Sequence, residues 1–265
     1  MKQRFSSEFI FQLFALLITV ILVHAIYVGL VRPNADALLE QQAALLAAGA
    51  DLVPDRSLYI VIRDFEQEAC FILLIWALAI MGYKGKQMIE EQQLLDQRLL
   101  DVAEGTSILP EDAREYSRPL EALDDQIQDY LLPRTLLAAL QRFATTASIP
   151  AVSATIREQC EGESDRLDSE LSMVRYIAWA IPSIGFIGTV RGIGDALGQA
   201  YEAVEGDISG VTASLGVAFN STFVALVLSI IIMFCLHQLQ LSQERLVLNC
   251  QRYCDKRLMR HLAVH

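Results

Sequence analysis

The sequence lacks the residue patterns from which catalytic sites are usually built. It contains no HExxH motif, no CxxC pair, and no serine–histidine or paired-aspartate arrangement within its hydrophobic segments. Gly192 and Gly194 have no strand before them, so they do not indicate a nucleotide-binding loop. We therefore predict that the chain is not an enzyme, with no catalytic residue, no metal site and no cofactor.

Basic residues and cysteines are also scarce. The 265 residues include 21 Lys and Arg against 32 Asp and Glu, which gives a formal net charge of -11 at pH 7. A surface that binds nucleic acid needs clustered positive charge, so nucleic acid is excluded as a partner and a protein partner is favoured. The five cysteines are odd in number and widely spaced, which does not predict a disulfide framework.

Hydrophobic residues, in contrast, are abundant. They make up 53% of the chain, and the mean hydropathy is +0.35, values that a soluble domain of this size would not sustain. A stretch of about 20 apolar residues crosses a hydrocarbon core about 30 Å thick. We predict an all-α, polytopic protein of the lipid membrane with a helical cytoplasmic region and four crossings, at residues 9–31, 60–83, 173–197 and 208–236.

The polar segments between these crossings predict the division of the chain. We expect an N-terminal membrane hairpin, a cytoplasmic helical region, a second membrane hairpin and a helical cytoplasmic tail. The first hairpin has an external loop at residues 32–68, which contains a short helix within the alanine-rich residues 37–50. Helix breaks are expected in the cytoplasmic region near Gly105, Pro133, Pro150 and Gly162. The four predicted regions are residues 1–86, 87–172, 173–236 and 237–265.

The positive charges predict the orientation. Lys84, Lys86 and Arg98 follow the second crossing, and further Lys and Arg residues follow the fourth, whereas the loop between the third and fourth crossings has none. Because Lys and Arg concentrate on the cytoplasmic side of membrane proteins, we predict that both termini are cytoplasmic.

Small residues line one side of the third and fourth segments. Gly185, Gly188 and Gly192 recur at helical spacing in the third segment, and Ala218 and Ser221 do so in the fourth. Two interpretations are open, because small-residue stripes serve both ordinary helix packing in lipid and the lining of a narrow pore. In the same third segment, Pro182 removes a backbone hydrogen bond and is predicted to kink the helix.

The sequence IGFIGTVRGI at residues 184–193, followed by AFNSTFVAL at residues 218–226, resembles the MotA/TolQ/ExbB proton channel family. Members of that family carry a proline- and glycine-rich segment that ends in a Gly-Thr pair, followed by a helix with a matching hydroxyl. The likeness covers about residues 175–236. A layout of four crossings with a large cytoplasmic region between the second and third resembles the flagellar stator subunit more than the three-crossing Tol and Ton members.

The resemblance implies an ion-channel subunit of a bacterial inner-membrane motor driven by proton motive force. Such a subunit is a homopentamer whose third and fourth helices surround a MotB/TolR/ExbD-like partner dimer, and each partner chain crosses the membrane once and supplies an acidic residue. Thr189 and Thr222 match the family's pore hydroxyls, and Ser221, Gly185 and Ala218 are expected in the same lining. The transported ion is expected to be H+, with Na+ left open.

A second hypothesis is a membrane scaffold or sensor that acts through its cytoplasmic helices without ion flux. No motif selects the process that the chain serves, whether motility, outer-membrane transport, envelope maintenance, gliding or phage defence.

Two charged or titratable positions in the membrane segments also need an explanation. Arg191 is one helical turn from Asp195, so the two are predicted to pair. Such a pair either fixes the helix at the outer headgroups or supplies an ion-selective or partner-docking charge at the mouth of a pore. His24 in the first crossing is predicted to hydrogen-bond a neighbouring helix, with a proton-relay role as the alternative.

Overall fold

The computed structural model describes residues 2–47, 57–103 and 105–264. In these ranges the chain is almost entirely α-helical, which confirms the predicted fold class. Four helical stretches are long and apolar enough to cross a membrane, and each contains one of the predicted crossings or most of it. They are Phe9–Leu45, Phe65–Leu95, Ile149–Gly198 and Ser209–His261.

The first membrane helix continues past the point where a loop was predicted. Helix α1 (Lys2–Ile26) runs through a π-helical turn (Tyr27–Val31) into α2 (Arg32–Ala47). The helix expected within this segment is present, but it begins at Arg32 and is continuous with α1, and residues 48–56 lie outside the described ranges. Pro33 is tolerated because the wider π-turn relieves the clash of its ring with the carbonyl of Gly29.

The second membrane helix begins later than predicted. A short helix α3 (Leu58–Val61) ends at a turn, and α4 (Phe65–Leu95) follows. The turn contains Arg63, which donates a hydrogen bond to Asp36 (3.4 Å). An acidic residue directly before a helix interacts favourably with the positive end of its dipole, so Asp64 is well placed before α4.

Four helices lie in the described residues between the second and third predicted crossings. The break predicted near Pro150 is present, and there Ser148 Oγ accepts a hydrogen bond from the backbone N–H of Ala151 (3.4 Å). Neither Pro133 nor Gly162 breaks its helix. Pro133 is tolerated because it lies in the first turn, where its missing N–H is not needed. The four helices are α5 (Ala113–Glu121), α6 (Asp125–Gln128), α7 (Leu131–Thr146) and α8 (Ile149–Glu170).

The C-terminal part contains the second membrane hairpin. Asp207 lies two residues before the second long helix and accepts hydrogen bonds from the hydroxyl and the backbone N–H of Ser209. These hydrogen bonds hold the pKa of Asp207 below its ordinary value. The elements are α9 (Ser172–Gly198), α10 (Ala200–Val204), α11 (Ser209–Arg257) and a final 3₁₀ turn (Met259–His261).

The chain divides into two compact units. The first consists of Met1–Met81 and Met173–Leu236, and therefore contains most of each predicted crossing. The second consists of Gly82–Ser172 and His237–His265, and its buried core includes Leu136, Phe143 and Cys250. The predicted cytoplasmic region and the predicted tail thus fold together.

Candidate functional site

The glycines of α9 lie directly against α11. A Cβ atom added at Gly188 would be 2.5 Å from the Cβ of Ser221, and one added at Gly192 would be 2.7 Å from the carbonyl oxygen of Ser214. Real Cβ atoms do not approach other atoms so closely. The small-residue stripes therefore form a tight seam between the two helices of one chain.

This seam encloses three of the predicted pore-lining residues. Gly185 is buried against α11, Ala218 is fully buried and Ser221 is 1% exposed. In the single chain these three residues are enclosed between α9 and α11, and their pore-lining role stays a prediction. Their small size serves the close approach of the helices.

Thr189 and Thr222 meet across the same seam but are only half-buried. Their hydroxyl oxygens are in direct hydrogen-bond contact with each other. The Thr189 hydroxyl also lies 3.1 Å from the carbonyl oxygen of Ala218, and both hydroxyls lie within 3.3 Å of the carbonyl oxygen of Gly185. Two hydroxyls and two backbone carbonyls thus form one polar patch on the hairpin of α9 and α11.

The threonine hydroxyls have more acceptors than protons. Each hydroxyl carries a single proton and can also accept hydrogen bonds. Thr189 has Thr222, Gly185 O and Ala218 O within reach, and Thr222 has Thr189 and Gly185 O. The protons can therefore change acceptor by rotation of the hydroxyls, without movement of either helix.

Arg191 pairs with a different residue from the one predicted. Its Nε and one terminal nitrogen donate to the two carboxylate oxygens of Glu66 on α4 at 2.7 and 2.9 Å. The predicted pairing with Asp195 is wrong, because Glu66 offers a two-point, planar contact and is itself only 11% exposed. The ion pair joins α9 to α4 and lies one turn from Gly188.

Gln67 and Glu68 on α4 contact two further parts of the first unit. Gln67 donates to the hydroxyl of Ser221 on α11 (3.4 Å). Glu68 accepts from Arg32 at the start of α2, and one of its oxygens lies 2.7 Å from Nδ1 of His24 on α1. The predicted hydrogen bond between His24 and a neighbouring helix is confirmed.

The comparison with known families now decides the class of protein. Residues 127–252 match the MotA/TolQ/ExbB proton channel family. The chain carries a domain of that family. The matched range is longer than the predicted resemblance, since it also includes all of α7 and α8 and residues 237–252 of α11. No curated protein and no solved structure matches the chain.

The match shows a MotA/TolQ/ExbB domain at residues 127–252. The family consists of channel and stator subunits of the bacterial inner membrane, and they are not enzymes. The four long apolar helices agree with a multi-pass membrane protein. The prediction of a non-enzymatic membrane protein is therefore confirmed.

The MotA/TolQ/ExbB domain contains both threonines but not the polar residues of α4. Thr189 and Thr222 lie within the matched range, whereas Glu66, Gln67 and Glu68 precede it by about 60 residues. Sequence reasoning could not identify the partners of the two glutamates, Arg191 and Arg32, because they are distant along the chain. The available signal was three consecutive polar residues at the start of an apolar helix, each of which must find a partner when buried.

Pro182 lies inside α9 of the MotA/TolQ/ExbB domain, and the helix continues on both sides of it. Next to it, the carbonyl oxygen of Ile181 accepts a hydrogen bond from the thiol of Cys70 on α4 (3.6 Å), and the hydroxyl of Ser183 donates to the carbonyl of Trp179 (3.1 Å). The helix kink at Pro182 stays a prediction.

Proposed function

We propose that this chain is the ion-channel subunit of an inner-membrane motor that converts proton motive force into mechanical work. In this proposal it forms a homopentamer around a MotB/TolR/ExbD-like dimer of single-crossing partner chains. The observation that carries the proposal is the contact between the hydroxyls of Thr189 and Thr222, inside a domain of a proton channel family.

The threonine pair has the chemistry of a proton relay. A hydroxyl passes a proton on by accepting one hydrogen bond and donating another, and this pair has several acceptors for each proton. Both side chains are half-buried, so they remain accessible on one side of the seam. A residue of another chain would complete the path on that side.

The acidic group that carries the proton belongs to the partner in this proposal. The part of α11 before residue 237 has no carboxylate, and Asp195 of α9 is close to its outer end. Glu66 and Glu68 are held in ion pairs with Arg191 and Arg32. Hydroxyls alone do not hold the charge of a proton in a low-dielectric environment, so a separate carboxylate is needed.

The orientation and the energy source follow from the same proposal. With both termini in the cytoplasm, the second unit is cytoplasmic and the loop between α9 and α11 is external. Each proton that crosses a potential of 100 mV then releases about 2.3 kcal/mol. Several protons per cycle supply enough free energy to drive a mechanical step.

Exposed apolar side chains beside the threonine pair support an oligomer. Phe186 on α9 is 65% exposed, and Phe219 and Phe223 on α11 are 66% and 62% exposed in the single chain. Aromatic side chains of this size are well suited to contact neighbouring helices or lipid. A ring of chains would cover part of this surface.

The test measures ion flux through the complex isolated with a tag on this chain and reconstituted in vesicles that contain a pH-sensitive dye. Thr189→Val and Thr222→Val keep the shape of the side chains and remove the hydroxyls. We expect each to lower proton flux by about tenfold or more, as for other proton-transfer groups. Thr212→Val is the matched control, because that exposed threonine of α11 bonds only the carbonyl of Ile208 (2.9 Å).

The same assay distinguishes the competing hypotheses. If both threonine variants assemble and conduct as the unsubstituted chain does, the motor proposal is wrong and a scaffold or sensor is favoured. Replacement of the proton gradient by a sodium gradient identifies the coupling ion.

A further inference from the structure

Gln67 is a buried polar residue that the threonine pair does not account for. Its side chain is completely buried in the first unit. Nε2 donates to the backbone carbonyl of Val61 (3.2 Å) and to the hydroxyl of Ser221 (3.4 Å). The other polar atom, Oε1, has no hydrogen-bond partner among the described residues.

The orientation of this amide is fixed by its surroundings. A backbone carbonyl only accepts hydrogen bonds, so the atom of Gln67 that faces Val61 must be the NH₂ group. Rotation of the amide by 180° would set two oxygens against each other there. The unpartnered atom is therefore the carbonyl oxygen Oε1, and a buried acceptor of this kind is normally satisfied by a donor such as an ordered water molecule.

Gln67 reaches α11 next to the threonine pair. Ser221 and Thr222 are consecutive, so their side chains diverge by about 100° around the helix. Ser221 faces Gln67 of α4, while Thr222 faces Thr189 of α9. The rotation of α11 at this point is thus defined by contacts on two sides.

The neighbourhood of Ser221 leaves it little freedom. It lies against Gly188, and a Cβ at Gly188 would also be 3.2 Å from Cγ of Glu66. The Ser221 hydroxyl donates to the carbonyl of Val217 (2.9 Å) and accepts from Gln67. A change at Gln67 therefore acts on Ser221 and, through the backbone, on Thr222.

We propose that Gln67 is a positioning residue for the Thr189–Thr222 pair and that its Oε1 accepts a hydrogen bond from a buried water molecule. This inference rests on the proposed function, since it assigns Gln67 to the same ion path. Gln67 itself does not carry the proton. It holds α11 in the rotation at which the two hydroxyls meet.

The experiment compares proton flux in reconstituted vesicles for Gln67→Met, Ser221→Ala and the double variant. We expect each single variant to lower flux by about tenfold, the size of effect seen when contacting residues share one interaction. The double variant should lose no more than the worse single variant, because both act through the same contact. Gln243→Met is the matched control, as Gln243 is 5% exposed in the second unit.

Two further readouts separate positioning from general destabilisation. Gln67→Glu, which when protonated keeps both a donor and an acceptor, should retain most of the flux. The thermal midpoint of the Gln67→Met complex should fall no further than that of the Gln243→Met complex. A density map of the complex should show a water molecule within hydrogen-bonding distance of Gln67 Oε1.

The outcomes are distinguishable from failure of the proposed function. If Thr189→Val abolishes flux but Gln67→Met does not, the positioning role is wrong and the motor proposal stands. If Thr189→Val is silent as well, both are wrong. Where Gln67→Met does not assemble, normal flux in Ser221→Ala overturns the inference. A side chain in place of water at Oε1 overturns the assigned water site.

Discussion

Replacement of Gly192 by alanine tests whether the small-residue stripe is a seam between α9 and α11. An added Cβ at Gly192 would lie 2.7 Å from the carbonyl oxygen of Ser214 and 2.8 Å from the backbone N of Ala218. These distances are roughly 0.7 Å shorter than the optimal separation of nonbonded heavy atoms. Both atoms belong to the backbone, so a side-chain rotation cannot relieve the clash and α11 must move.

Gly194→Ala provides a matched control two residues along the same helix. A Cβ there would have no atom within 4 Å. Overpacking costs about 1–3 kcal/mol, whereas alanine favours a helix over glycine by up to about 1 kcal/mol. We therefore expect Gly192→Ala to lower stability and Gly194→Ala to leave it unchanged or raise it.

The assay is the thermal unfolding midpoint of the purified complex in detergent, with size-exclusion chromatography to verify assembly. Gly192→Ala should unfold at a lower temperature than the unsubstituted chain, and it should also reduce ion flux if the threonine pair is displaced. Equal midpoints for the two alanine variants would refute the seam.

Two further predictions concern ion pairs. Arg191→Met and Glu66→Gln should each lower the unfolding midpoint, because each single change leaves an unpaired charge. The double variant should lose about 1 kcal/mol less stability than the sum of the two single losses. Additive losses would show that the two residues do not interact. In the second unit, Arg134→Met should destabilise the full chain by about 1–3 kcal/mol in denaturant unfolding, because Arg134 pairs with Glu163, which is only 2% exposed. Arg157→Met removes an exposed ion pair with Glu161, and it should change the free energy of unfolding by no more than about 0.5 kcal/mol. Equal losses of stability in Arg134→Met and Arg157→Met would show that burial of Glu163 does not strengthen its ion pair.

The membrane helices were predictable from the sequence because length and apolar composition are local properties. The hydrophobic runs identified all four helices that are long and apolar enough to cross a membrane, and the motif around Thr189 and Thr222 identified the domain family. The ends of the helices were less predictable. The first crossing was predicted to end at Val31, but the helix continues through a π-helical turn to Ala47.

The role of the small residues and the partner of Arg191 were not predictable, since both depend on tertiary contacts. A stripe of glycine and alanine fits a pore and a helix seam equally well, and the seam becomes evident only from the close approach of Gly185, Gly188 and Gly192 to α11. Helical spacing indicated Asp195 as the partner of Arg191, but Glu66 is 125 residues away in sequence. Gln67 was missed for the same reason, because its partner Ser221 is 154 residues away.

The most direct test of the central claim is a structure of the complex purified with its partner chain. The account predicts that Thr189 and Thr222 face a central partner helix and that a carboxylate of that helix lies within hydrogen-bonding distance of a threonine hydroxyl, directly or through one water molecule. A ring in which the threonine pair faces lipid, or one with no central helix, would contradict the account.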